Sequence, residues 1–280
     1  MDGDEAREAD VDETREPAAA AIARLYDLDL SEDPGDVELY QALARRTGGP
    51  IVELAVGSCR IAVPLAGDGH RVVGVDIDEA MLARGRARIE AAGTGVAGRI
   101  ELIRADMADA GTDPRVTAAG PFQLAILALN SILILTSGAR QRAVFASMAR
   151  LLAPGGLAVV DTWLPVPIDL AAFDGRLSLD WLRIDPDTGN EVTKTSAAWF
   201  DPTRRLVTLT TVFEEGAPGE APIRWTRSDA LRLVTADELM SYAADAGLEV
   251  EQMAGDHQLG PLGAGADRVV LVARKTGTIA

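Results

Sequence analysis

Three turns in this sequence, each following a short apolar run, carry residues suited to holding a nucleoside. The run over residues 51–56 ends in Gly57. A residue without a β-carbon there lets a ligand approach backbone N–H groups and the start of the next helix. About 20 residues on, the run 71–75 ends in Asp76, whose carboxylate can accept hydrogen bonds from both hydroxyls of a ribose. A third run, 100–104, ends in Ala105-Asp106-Met107. There a carboxylate can meet an adenine amino group and a backbone N–H a ring nitrogen. Each also has a bland reading, as a turn glycine or a helix-capping aspartate. Their order, on successive strand ends of one sheet, makes the joint reading stronger than any one of them.

Candidates for proton transfer and substrate contact lie later. His257, beside Asp256, is the candidate general base, because a neutral imidazole accepts a proton near pH 7. Its bland reading is a surface-loop histidine. Asp161 and Trp163 follow a later apolar run and, with Asp256, are the candidate substrate contacts. His70, just before a strand, reads as structural. With two histidines and one cysteine, Cys59, no metal-ligand cluster forms at the right spacing and no intrachain disulfide is available.

The elements that must position these residues alternate. Helices are expected over 18–29 and 34–46, then strand 51–56, helix 61–66, strand 71–75, helix 79–92, strand 100–104, strand 122–129, helix 140–152 and strand 157–161. The uninterrupted apolar run 122–129 is what a parallel strand buried on both faces requires. This alternation predicts an α/β fold, a doubly wound and mostly parallel sheet with helices on both faces. After Trp163 the pattern changes to four strands over 177–184, 192–200, 206–213 and 223–234, separated by Pro, Gly and Asp turns. Trp181, Trp199 and Trp225 lie on these strands, and most of them are expected to be core of this antiparallel insertion. Thr235-Ala-Asp-Glu238 opens a helix as a capping box, and two last strands follow. The expected organisation is a disordered acidic tail over 1–17, an α/β core over 18–162, an insertion over 163–234 acting as lid or substrate wall, and a closing helix and strands over 235–280.

The net charge is −16, with 27 Lys and Arg against 43 Asp and Glu. Such a surface repels phosphate backbones and anionic headgroups, which argues against nucleic-acid and membrane partners. No apolar run approaches the ~20 residues of a membrane span, and the acidic start is unlike a signal peptide. A cytoplasmic protein acting on a small molecule is expected, and a homodimer is compatible with it.

Residues from about 25 to 274 resemble the class I S-adenosylmethionine-dependent methyltransferases, in particular the small-molecule enzymes of bacterial secondary metabolism. The motifs are Glu53-Leu-Ala-Val-Gly57-Ser-Cys59, Val73-Gly-Val-Asp76-Ile-Asp-Glu-Ala-Met81-Leu, Ala105-Asp106-Met107, Leu127-Ala-Leu-Asn130-Ser131 and Leu152-Ala-Pro-Gly-Gly156. The resemblance implies a Rossmann-like sheet of seven strands and S-adenosyl-L-methionine as cofactor, leaving as S-adenosyl-L-homocysteine. It implies that Glu53, Ala55, Gly57 and Met81 line the cofactor site, that Asp76 holds the ribose, and that Ile77 packs on the adenine. By the same resemblance Asp106 and Met107 meet the adenine edge, Leu129 and Asn130 lie near the methionyl group, and Tyr26 closes over that end. The family's loop usually has three alternating glycines; here Ala55 and Cys59 replace the outer two, and Cys59 reads as a small packing residue.

The expected reaction is methyl transfer to an O or N atom of a natural-product-like acceptor by in-line displacement. Orientation alone can supply effective molarities of ~10⁵ M or more, so an obvious catalytic dyad is not required. Two other classes stay open: a related enzyme using the bound cofactor as scaffold for a cyclisation or rearrangement, and an NAD-dependent oxidoreductase. Against the latter stand the two missing glycines and the absence of a Tyr-x-x-x-Lys pair.

Overall fold

The structure is a computed structural model that describes residues 16–32, 34–217, 219 and 221–277. The tail expected over 1–17 therefore lies, apart from Glu16 and Pro17, outside the described residues. Helices α1 (Ala18–Asp29) and α2 (Val37–Thr47) precede the sheet. There follow β1 (Ile51–Leu54), α3 (Ala62–Gly67), β2 (Val72–Asp76), α4 (Glu79–Ala91), α5 (Thr94–Ala97) and β3 (Ile100–Arg104). Next come α6 (Pro114–Ala119), β4 (Phe122–Leu127), α7 (Gly138–Leu151), β5 (Leu152–Trp163) and α8 (Pro167–Ala172). The chain continues through β6 (Ser178–Ile184), β7 (Glu191–Asp201), β8 (Leu206–Gly216), β9 (Ile223–Arg232), α9 (Ala236–Asp245), β10 (Leu248–Ala254) and β11 (Arg268–Lys275).

One sheet has the strand order β10-β11-β5-β4-β1-β2-β3, and only β11 runs against its neighbours. The central strands are buried along nearly their whole length, Ile51, Val52 and Leu54 on β1 and Leu124–Leu127 on β4 being fully covered. That is why their sequences read as continuous apolar runs rather than alternating ones. The chain leaves β1 in one direction, to β2, and later returns on its other side through β4. A crevice therefore opens at the carboxyl ends of β1 and β4, where ligands of such sheets bind. The side chain of Asp78 caps α4 by accepting from the N–H groups of Ala80 and Met81, at 2.8 and 3.3 Å. Thr235 and Glu238 form the expected capping box at α9.

The second sheet is a four-stranded antiparallel meander, β6-β7-β8-β9. Its inner face packs Val192, Phe213 and Trp225 against Ala21, Leu25 and Leu28 of α1. Burying Leu25 and Leu28 contributes roughly 1.5–3 kcal/mol each, so α1 is held between insertion and core. Arg24 on the same helix is buried and paired with Asp185 and Glu215 of the insertion, and Glu16 reaches it from the chain's beginning at 2.9 Å.

Most of the insertion tryptophans are core: Trp225 is buried and Trp181 packs half-buried against the same cluster, while Trp199 is 55% exposed. The short helices α5, α6 and α8 add to the expected elements; each is little more than one turn, and α6 and α8 open on Pro114 and Pro167.

Candidate active site

The loop after β1 keeps a glycine-type backbone at all three alternating positions. Ala55, Gly57 and Cys59 have φ of 55°, 55° and 64°, in the left-handed region. For Ala55 and Cys59 that conformation costs roughly 1–2 kcal/mol each, which the surrounding packing must offset. Cys59 is fully buried, and burial pushes its thiol up to about 12, with Glu53 nearby adding to the effect.

Asp76 ends β2 and ties this loop to α4. Its Oδ2 accepts from Gly57 N at 2.8 Å and its Oδ1 from Asp78 N at 2.9 Å. Burial raises its pKa, and those two N–H groups oppose the rise. Asp106, after β3, accepts from Ala108 N at 2.9 Å and pairs with Arg140 at 2.6 Å.

A cavity of about 620 Å³ opens over these strand ends, lined by Ala55, Gly57, Asp76, Ile77, Met81, Asp106 and Met107. Ile22 and Tyr26 of α1 and Arg227 and Asp229 of β9 close it from the other side. Ile77 shows 60% of its surface, a large apolar side chain left uncovered at the cavity. A smaller pocket of about 40 Å³, sharing Ala55, Gly57 and Tyr26, is lined by Glu53, Ser58 and Leu129. Glu53 is buried, burial pushes its carboxyl up to about 8, and its Oε2 has no hydrogen-bond partner among the described residues. A third space of about 270 Å³ is lined by Asp29, Leu129, Asn130, Lys194, Leu209, Phe213 and Leu231, and it shares Ile22, Tyr26, Arg227 and Asp229 with the large cavity. All eleven residues expected at the cofactor thus line one of three cavities that meet at Tyr26.

The candidate base and substrate contacts are not brought there. His257 sets its Nε2 3.2 Å from Asp161 Oδ2, and Asp161 is fully buried with Arg268 at 2.6 Å and Tyr40 at 3.5 Å. The hydrogen bond to Asp161 raises the His257 pKa, while Asp161 itself is lowered despite its burial because His257 and Arg268 both hold its charged form. Asp256 accepts from Gln258 N and Gly260 N and so shapes its own turn. Trp163 packs against Phe173 at a centroid distance of 5.9 Å. What links this group to the cavities is Asn130, left-handed with φ 65°, whose N–H donates to Asp161 O and whose Oδ1 accepts from Trp163 N. Sequence reasoning missed Arg227, Asp229, Asp29 and Lys194 as lining residues; they stand on β7 and β9 of the insertion or on α1, and no local signal marks them.

The doubly wound seven-stranded sheet, with β11 alone reversed, is the Rossmann-like fold of class I methyltransferases. Residues 51–156 match the family model described as Methyltransferase domain. No curated protein sequence matches the chain. Among solved structures it is similar to the CcbJ methyltransferase of Streptomyces caelestis, at 25% identity over 88% of this chain and 98% of that one, with a TM-score of 0.71. It has the fold of the S-adenosylmethionine-bound CalS10 amino pentose methyltransferase of Micromonospora echinaspora (21% identity, 90% and 97% covered, TM-score 0.66). It also shares the fold of the sugar N-methyltransferase KedS8 of Streptoalloteichus (20% identity, 90% and 93% covered, TM-score 0.68). The chain is an S-adenosylmethionine-dependent methyltransferase. No helix among the described residues is long and apolar enough to cross a membrane.

Proposed function

We propose that this enzyme methylates an oxygen or nitrogen atom of a small, natural-product-like acceptor by in-line displacement. The observation that carries the reading is the junction of two spaces: the strand-end cavity and the chamber walled by β8 and β9, which share Ile22, Tyr26, Arg227 and Asp229. The cofactor is proposed to lie in the first and the acceptor in the second. The small-molecule scale agrees with the named activities of the neighbours, an amino pentose methyltransferase and a sugar N-methyltransferase.

Asp76 is proposed to hold the ribose hydroxyls, Ile77 and Met81 to pack on the adenosine, and Asp106 and Met107 to meet the adenine edge. Ala55 and Gly57 give backbone room for the methionine portion, since a β-carbon on Gly57 would come within 3.1 Å of Met81 Cε. Glu53 fits an ammonium group: burial, with Asp36 and Asp76 nearby, raises its carboxyl, and a cation beside the unpartnered Oε2 would favour the ionised form. Leu129, Asn130 and Tyr26 are proposed to surround the reacting end.

Held there, the cofactor would supply an electrophilic methyl group on a sulfonium, to be taken by the acceptor's lone pair with loss of the neutral thioether and release of the acceptor's proton to solvent. The chain's part is to align and to exclude water, with α1 and the insertion as the outer wall. His257 is proposed as a positioning residue: it holds Asp161, whose carbonyl takes the Asn130 N–H at 3.1 Å. The cytoplasm is the proposed setting. Native mass spectrometry of the purified protein tests the reading; it predicts a bound mass of S-adenosylmethionine or S-adenosylhomocysteine, and a nicotinamide dinucleotide in its place would overturn it.

A further inference from the structure

The acceptor chamber offers hydrogen-bond donors that nothing among the described residues uses. Arg227 gives its Nε to Asp229, 2.9 Å from Oδ1, and among the described residues its two terminal nitrogens make no hydrogen bond. Asn130 accepts the Trp163 N–H on Oδ1 at 2.6 Å. Only an oxygen can receive that N–H, so the amide orientation is set and Nδ2 is the group left over. It too makes no hydrogen bond among the described residues.

The acidic groups around the chamber are engaged. Asp229 faces the Arg227 Nε, and Asp29 accepts from Trp181 Nε1 at 2.8 Å and Lys194 Nζ at 2.7 Å. The rest of the wall includes Leu209, Phe213 and Leu231. A chamber of about 270 Å³ lies at the small end of ligand sites, which run to ~300–1,000 Å³, and suits one ring or a short chain. A planar guanidinium with parallel N–H groups free is matched by a carboxylate, held in two hydrogen bonds, better than by a neutral hydroxyl.

We infer that the acceptor is a small apolar molecule bearing a carboxylate, which Arg227 grips at the junction of the two cavities with Asn130 Nδ2 alongside. This rests on the reading of the 270 Å³ space as the acceptor chamber. Arg227 is then a specificity residue, recognising the carboxylate through the two terminal nitrogens that Asp229 leaves unused.

The test begins with S-adenosylhomocysteine titrated into the unaltered protein; failure to bind would overturn the cofactor reading and this inference with it. The saturated protein is then titrated with benzoate, 4-hydroxybenzoate and phenylacetate, with benzyl alcohol and 4-hydroxybenzyl alcohol as neutral counterparts and inorganic phosphate as the other anion. The carboxylates are expected to bind at least tenfold more tightly than the alcohols and than phosphate. Arg227→Gln should abolish that margin, Arg227→Lys should keep part of it, and both should leave S-adenosylhomocysteine affinity within about twofold. Normal cofactor binding with no carboxylate preference would overturn this inference alone. So would a tenfold loss of S-adenosylhomocysteine affinity in Arg227→Gln, which would make Arg227 a holder of the cofactor's own carboxylate.

Discussion

The sulfur of Cys59 occupies the space that a side chain on Gly85 would need: a β-carbon built on Gly85 would lie 2.6 Å from Cys59 Sγ. The loop after β1 has lost two of three family glycines, yet its backbone still turns through the left-handed region at each. The bulk added at Cys59 is accommodated by the absence of bulk on α4. The departure from the family pattern is thus compensated within the packing of loop and helix.

This pairing predicts non-additivity. Gly85→Ala should destabilise by about 1–3 kcal/mol through overpacking, less the gain of ~1 kcal/mol in helix propensity. In a Cys59→Gly background the same change should be close to neutral. Urea unfolding of the two single variants and the double variant measures the coupling, and additive effects would contradict the relationship.

The same burial makes the thiol inert. With its pKa pushed up to about 12, Cys59 should resist iodoacetamide at pH 8 in the native protein and react once urea unfolds it. Rapid native labelling would mean that the loop opens.

Arg24 should be the most sensitive position on α1. Asp185 and Glu215 are 2% and 5% exposed at their side chains, so Arg24→Met leaves two buried carboxylates without their cation. Breaking such a pair costs about 3–5 kcal/mol, read as a lower urea midpoint. Adding Asp185→Asn and Glu215→Gln should recover much of the loss; no recovery would locate the damage elsewhere.

His257 should titrate above the ordinary imidazole value, because Asp161 stabilises its protonated form. Its contribution to stability is then full below the unfolded pKa near 6.5 and is lost as pH rises through the higher folded pKa. The gap in melting temperature between the native protein and His257→Gln should therefore narrow from pH 6 to pH 9, and the ring resonance should show the raised midpoint by NMR. A gap that widens with pH would contradict the Asp161 pairing.

Much of the strand-end cavity's lining was legible in the sequence, because Gly57, Asp76 and Asp106 each close or follow an apolar strand and stand out by position alone. The α1 helix, the four insertion strands and the capping box at Thr235 were legible for the same reason, a local pattern with a physical cause. The acceptor side was not. Arg227 and Asp229 sit in an ordinary alternating strand, and only the folding of β9 over α1 turns them toward Tyr26. His257 stood out by type, yet its partner Asp161 is 96 residues away and buried, so its engagement there could not be read from spacing.

The central claim is that the carboxylate ending β2 holds the cofactor. Asp76→Ala removes charge-assisted hydrogen bonds worth roughly 1.5–3 kcal/mol each, and Asp76→Asn keeps the size while losing the charge. Calorimetric titration with S-adenosylhomocysteine should show a single site in the unaltered protein, affinity at least tenfold weaker in Asp76→Ala, and an intermediate loss in Asp76→Asn. Circular dichroism should show both variants folded. Unchanged affinity in a folded Asp76→Ala, or tight binding of NAD to the unaltered protein, would contradict the account.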